Sequence, residues 1–170
     1  QVRTAHHTTR VAVTQEELSI LSTLDRLVFQ PATLAAIRQS GAKLAHQLES
    51  KPAAAFVRAE LHLSLYGAGL PEGIHSSNIY VIRPRVTSGV ERHPNSHQRS
   101  MSLDGRGAFH LGLGEHRKTY PLAGIEGGDI TERWASIPPL TWHEAVAGAE
   151  PWTVVTFHTA PDGAIINERM

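Results

Sequence analysis

The sequence predicts a mainly β chain in which two N-terminal α-helices precede an antiparallel β-barrel or sandwich. Three observations carry that expectation. A capping signal at Thr14 opens an apolar stripe of helical period that runs to Val28. From Val57 the period of the apolar positions switches to two. Beyond Gly67, short strand-like runs alternate with clusters of Gly, Pro, Asn and Asp, at roughly the 8–12-residue spacing typical of all-β sandwiches and barrels.

The first helix is predicted from the pair Thr14 and Glu17, which has the S/T-x-x-E form of a capping box. Leu18, Leu21, Leu24, Leu27 and Val28 follow at three- and four-residue intervals, as a single buried stripe requires. Pro31 interrupts this helix, and a second runs over about Ala32 to Glu49 with Leu34, Ile37, Leu44 and Leu48 near one face. Gly41 falls on that stripe and is its weak point, and Ser50 and Pro52 close the helix. Val57 to Tyr66 then alternates apolar and polar residues as a half-buried strand does. The later runs are Asn78–Arg83, Val86–His93, Arg99–Leu103, Ala108–Leu113, Arg133–Ile137, His143–Ala147 and Trp152–Thr159. The organisation expected is a flexible arm over 1–12 and one domain over 13–170, with helices in 14–50 and the barrel in 56–160.

Composition excludes several function classes. The 170 residues are 41% hydrophobic, enough for a packed core, and the 16 basic residues balance 16 acidic ones. A neutral chain lacks the cationic excess that grips nucleic acid, so no nucleic-acid partner is expected. No apolar run approaches the ~20 residues that span a bilayer, so no membrane partner is expected either. Cysteine is absent, which removes disulfides, thiolate nucleophiles and sulfur ligands and fits a cytoplasmic protein. Eleven histidines are many for this length, and His6 and His7 are assigned to the arm.

The densest chemistry lies in Glu91-Arg92-His93-Pro94-Asn95-Ser96-His97-Gln98. On a strand Glu91 and His93 project to one face, because side chains alternate with period two. The Pro-Asn-Ser turn then reverses the chain and lets Gln98 point back at that pair. His143, at the start of a later strand, is the second candidate imidazole. Two His and one carboxylate bind one face of a divalent transition metal and leave positions open for substrate or dioxygen. A one-residue shift in register turns His97 inward instead and makes His93, His97 and His143 the alternative ligand set. Gln98 is either a weak fourth ligand or a hydrogen-bonding partner of substrate.

These residues resemble the cupin superfamily over roughly residues 78–160. The first cupin motif, His-x-His, four residues, Glu, six residues, Gly, is matched in spacing by Glu91-x-His93, Gln98 and Gly105. The second, Pro-x-Gly-x-x-His, is matched by Pro138-x-Leu140-x-x-His143. Glu91 stands where cupins usually have the first His, Gln98 where they have Glu, and Leu140 where they have Gly. The carboxylate has changed place among the ligand positions. The resemblance implies a cupin-type antiparallel β-barrel, or jelly roll, and a homodimer.

Within that superfamily the segment is most similar to the thiol dioxygenases. Asn95-Ser96-His97 matches a stretch that those proteins carry after the first ligand pair. Thr156-Phe157-His158-Thr159-Ala160 stands where they carry Ser-x-His-x-Tyr, with Ala160 replacing the tyrosine. The resemblance implies one Fe(II), with Mn, Ni or Zn as alternatives, bound by Glu91, His93 and His143. It further implies that Arg58 and Gln98 contact substrate and that His158 or His97 handles protons. The function expected is a mononuclear non-haem iron dioxygenase acting on a small amino-acid-like or thiol substrate. The alternatives are a metal-dependent lyase or isomerase and a non-catalytic cupin that binds a small ligand.

Overall fold

The computed structural model describes residues 13–170; the arm expected over 1–12, with His6 and His7, lies outside them. Helix α1 spans Gln15–Val28 and begins where Thr14 Oγ1 accepts the backbone N–H of Glu17 (3.1 Å). The Glu17 carboxylate does not complete the capping box. It is taken instead by Arg99 (2.7 and 2.9 Å) and the Ser136 hydroxyl (2.7 Å). Helix α2 spans Pro31–Glu49, and Pro31 opens it as its first residue, where no N–H is needed. Its buried face is Thr33, Ile37, Gly41, Leu44 and Leu48.

Ten strands follow: β1 Phe56–Glu60, β2 Ser76–Ile82, β3 Glu91–Arg92, β4 Gln98–Asp104, β5 Gly107–Leu111, β6 Lys118–Leu122, β7 Trp134–Ile137, β8 His143–Ala147, β9 Trp152–His158 and β10 Glu168–Arg169. They form two antiparallel five-stranded sheets, in the orders β1-β2-β9-β4-β7 and β10-β3-β8-β5-β6. The expected barrel is therefore a sandwich of two separately hydrogen-bonded sheets. The predicted strand Val57–Tyr66 is shorter, because Leu63–Tyr66 turns into a 3₁₀ helix capped by His62. The run Val86–His93 keeps only β3 and one isolated bridge from Thr87 to Val146. Gly89 at φ +85° breaks the strand between them. Strands β6 and β10 and the one-turn helix α3, Ile130–Arg133, are additions. Helix α3 starts on a complete capping box between Asp129 and Glu132.

The chain makes three layers. Leu21, Leu24, Leu27 and Val28 of α1 and Ile37, Leu44 and Leu48 of α2 pack with Ile79, Val81, Met101, Leu103, Val155 and Phe157 on the outer face of the first sheet. Full burial of each such side chain contributes about 1.5–3 kcal/mol. Two acids, half-buried Glu17 and buried Asp25, fasten α1 to the body of the chain: Glu17 to Arg99, and Asp25 to Arg133 (2.8 and 2.7 Å) and the Trp134 indole N–H (2.8 Å). The second cluster, Ile82, Phe109, Leu122, Ala135, Ile137, Ala145, Trp152 and Val154 among others, lies between the sheets. Gly105 follows β4 at φ +80°, where a Cβ would lie 2.3 Å from the Pro151 carbonyl oxygen, so only glycine fits.

Candidate metal centre

Because the first sheet carries apolar side chains outward to the helices, its inward positions are free to be polar. Inward residues of neighbouring strands fall in rows. Ser76, His158 and Gln98 pair across β2, β9 and β4, and one row further in come Asn78, Thr156 and Ser100. Towards the other end the inward positions turn apolar, with Ile82 opposite Trp152. The sandwich interior is thus graded from polar to apolar. The second sheet completes the polar end, since Glu91 of β3 and His143 of β8 are directly opposed in register. His93, two residues beyond Glu91, projects to the same side.

Glu91, His93 and His143 each offer a donor atom within 4.8 Å of the other two. Both imidazoles are buried, and their ring centroids are 5.1 Å apart. His143 Nδ1–H donates to the Thr141 carbonyl (3.0 Å), which leaves Nε2 as the nitrogen with the lone pair. That Nε2 is buried and has no hydrogen-bond partner. His93 Nδ1 lies 3.3 Å from the Ile166 carbonyl oxygen and Nε2 lies 2.9 Å from Gln98 Oε1, and a neutral imidazole donates to one of these two oxygens. The Gln98 amide is oriented by its Nε2, which donates to Ser100 Oγ (2.9 Å) and leaves Oε1 towards His93. The buried unpartnered nitrogen of His143 and the grouping of three donor atoms fit a metal ion held by Glu91, His93 and His143, with Gln98 beside it.

Electrostatics favours neutral imidazoles here. Burial lowers the His143 pKa to about 4; the Thr141 carbonyl opposes the shift and the neighbouring His93 adds to it. Burial also lowers His158 to about 3, with further lowering from His93 and His143. Neutral imidazole is the metal-binding form. The Arg169 guanidinium lies 3.0 Å from Glu91 Oε2 and keeps a cation beside that carboxylate.

The other expected site residues divide. His158 stands with its ring edge-on to His93 at 5.1 Å between centroids, and its Nδ1 is 3.0 Å from Ser96 Oγ. Ser96 Oγ also accepts the Ala160 N–H (3.2 Å), which ties the hydroxyl to the end of β9. His97 is not brought to the centre, because it alternates with Gln98 and lands on the outer face. There its ring bonds Ser136 Oγ (2.8 Å) and lies 3.5 Å from Glu17. The ligand set with His97 therefore fails on the period of the strand. Arg58 is already bonded to Asp162 and Asn78, so a substrate carboxylate would have to displace Asp162 to be anchored there.

Several neighbours were missed from sequence. Tyr80 of β2 faces inward with the charges of Arg58, Glu91, Asp162 and Arg169 around it, and burial raises its pKa. Ile166 and Arg169 reach the centre from the far end of the chain. A signal for the inward polar row does exist: Asn78-x-Tyr80, Gln98-x-Ser100-x-Ser102 and Thr156-x-His158 alternate with residues that are buried towards the helices and, save Arg99, all apolar. Leu140 sits at φ +65°, a left-handed conformation that favours glycine, and its N–H bonds the His93 carbonyl (3.1 Å). An open depression of about 520 Å³ lies away from this centre, at the Asp104 end of β4, where it is lined by Asp104, Gly105, Gly124 and Glu150 among others.

No family model matches the chain, and no curated protein matches it in sequence. Solved structures do match. A salicylate 1,2-dioxygenase from Pseudaminobacter salicylatoxidans superposes with a TM-score of 0.57 at 12% identity, covering 78% of this chain and 37% of that one. An oxalate decarboxylase from Lactobacillus farciminis, in a formate complex, gives 0.51 at 14% identity, covering 68% and 31%. A cupin-2 domain from Rhodospirillum rubrum gives 0.46 at 24% identity, covering 68% and 62%. The chain spans about a third of the length of the first two. At these identities the likeness is one of fold: the two antiparallel sheets share the fold of the dioxygenase and decarboxylase structures. Among the described residues no helix is long and apolar enough to cross a membrane.

Proposed function

We propose that the chain is a mononuclear metal-dependent cupin enzyme, an Fe(II) dioxygenase acting on a small amino-acid-like or thiol substrate. The observation that carries the reading is the buried, unpartnered Nε2 of His143, grouped with donors from His93 and Glu91. Two imidazoles and one carboxylate suit Fe(II), and such an ion supplies redox chemistry and open positions for substrate and dioxygen.

The chain's own residues do the rest. Glu91 brings one negative charge to the cation, and His93 and His143 bind as neutral imidazoles whose tautomers are set by the Ile166 and Thr141 carbonyls. Ser100 holds the Gln98 amide with its oxygen towards the centre, where it accepts a bond from substrate or serves as a weak further ligand. His158, kept neutral by burial, does not store a proton near neutral pH and stands beside His93 as a neutral polar group. Substrate carboxylate meets Arg58 only by exchange with Asp162. Closure of the interior by both sheets keeps water from the reacting groups. A homodimer in the cytoplasm belongs to the same proposal, and the mass in solution tests the dimer.

Metal analysis of the purified protein is the first test: about one transition-metal ion per chain is expected, and loss of it in His143→Ala. Oxygen uptake by the Fe(II)-loaded protein with small thiols and amino acids is the second. Turnover without oxygen uptake replaces the dioxygenase by a lyase or isomerase. A folded, metal-free protein indifferent to Glu91→Ala and His143→Ala replaces the enzyme by a ligand-binding module.

A further inference from the structure

Residues 162–170 run back across the metal centre although little buries them. Ile166 and Met170 are 51% and 79% exposed, and the Arg169 side chain is 57% exposed. Polar contacts hold the segment, and they converge on the candidate ligands. Asn95 grips it twice: its Nδ2 donates to the Ala164 carbonyl (2.8 Å) and its Oδ1 accepts the Ile166 N–H (2.9 Å). This grip presents the Ile166 carbonyl to His93 Nδ1. Further on, β10 pairs with β3 in a register that sets Arg169 opposite Glu91, and the guanidinium takes Glu91 Oε2. Arg92 and Glu168 form a second ion pair along the same ladder, one that touches no ligand.

We propose that this segment is a clasp for the metal centre, with Asn95 and Arg169 as positioning residues. Asn95 acts through the Ile166 carbonyl, which fixes the His93 tautomer and ring orientation. Arg169 holds one oxygen of Glu91 and so turns the other to the cation. The inference rests on the reading of Glu91, His93 and His143 as metal ligands. The guanidinium also repels a cation; positioning outweighs that repulsion, because the ion pair removes the side-chain freedom of a carboxylate on a two-residue strand. Loss of a partner that orients a ligand costs about 10–100-fold in metal affinity.

Co(II) titration of the metal-stripped full chain tests this, followed by chelator competition and by the visible absorption of the bound ion. Asn95→Ala and Arg169→Ala are expected to bind Co(II) about 10–100-fold more weakly than the parent, with an altered spectrum. Arg169→Lys, which keeps the charge but not the fork, is expected to recover part of the loss. Glu168→Ala, which removes the neighbouring ion pair alone, is expected to stay within about threefold. Affinity in Asn95→Ala and Arg169→Ala equal to or tighter than the parent overturns the clasp, as does an equal loss in Glu168→Ala. A folded parent chain that takes up no Co(II) overturns the ligand assignment itself, and the clasp falls with it.

Discussion

Lowering the pH should weaken the metal-free protein well before its carboxylates titrate. His143 and His158 have ordinary values of 6.5 when unfolded and about 4 and about 3 when folded. Between those limits the unfolded chain binds protons that the folded chain refuses, so stability falls as pH drops. The loss begins below pH 6.5 and is complete only once the folded imidazoles charge. Each unit of pH in that window costs about 1.4 kcal/mol per histidine. From pH 7.5 to 5.0 the pair therefore costs about 4 kcal/mol, a large part of a typical domain stability of about 5–15 kcal/mol. Burial lowers the His97 pKa as well and pushes in the same direction. The lowered Glu17 carboxyl acts only below its unfolded value of 4.5, outside the window. Urea unfolding in the presence of chelator measures the effect: with a slope of about 2 kcal/mol/M the midpoint should fall by about 2 M. His158→Gln should remove about half of the dependence. A fall of under about 1 kcal/mol in the parent protein would refute the reasoning.

Metal at 100 times its Kd should stabilise the chain by about 2.7 kcal/mol, a rise in Tm of about 5–10 °C by calorimetry, and His143→Ala should abolish the rise. Gly41→Ala should stabilise by about 1 kcal/mol, because the added methyl meets Ile79 Cδ1 and Thr153 Cγ2 at 3.4 and 3.6 Å, ordinary contact distances; a lowered urea midpoint would contradict this. Gly105→Ala should destabilise by at least about 2–4 kcal/mol, since the Cβ meets the Pro151 carbonyl oxygen at 2.3 Å at a positive φ, and an unchanged midpoint would contradict it. Glu17→Ala leaves the Arg99 guanidinium buried and unpaired and should cost about 3–5 kcal/mol, read in the same assay.

What the sequence made legible followed from local rules. The α1 stripe is set by helical period, and the spacing Glu91-x-His93, Gln98, Gly105 is set by two strands joined across a tight turn. The same period of two that puts Glu91 and His93 together sends His97 to the helices, so its exclusion was within reach. Arg58 was readable as a cation on a strand, but its partner Asp162 lies 104 residues away and leaves no local trace. Strand β10, two residues without alternation, exists only because Arg92 and Glu168 and then Glu91 and Arg169 meet across the ladder. Long-range polar pairing of that kind has no period to read. Leu140 is the opposite case: as a residue it breaks the motif, yet its backbone takes a positive φ of the kind that favours glycine.

The graded interior of the sandwich separates what keeps the chain folded from what reacts. Trp152, Phe109, Leu122 and their neighbours close one pole, and α1 and α2 seal the sheet from outside. The opposite pole owes the hydrophobic effect little. Its histidines, amides and hydroxyls can be exchanged for another donor set without reworking the scaffold. A jelly roll built this way is a durable holder with a replaceable tip, and new reactivity arises by rewriting a handful of inward positions at one end.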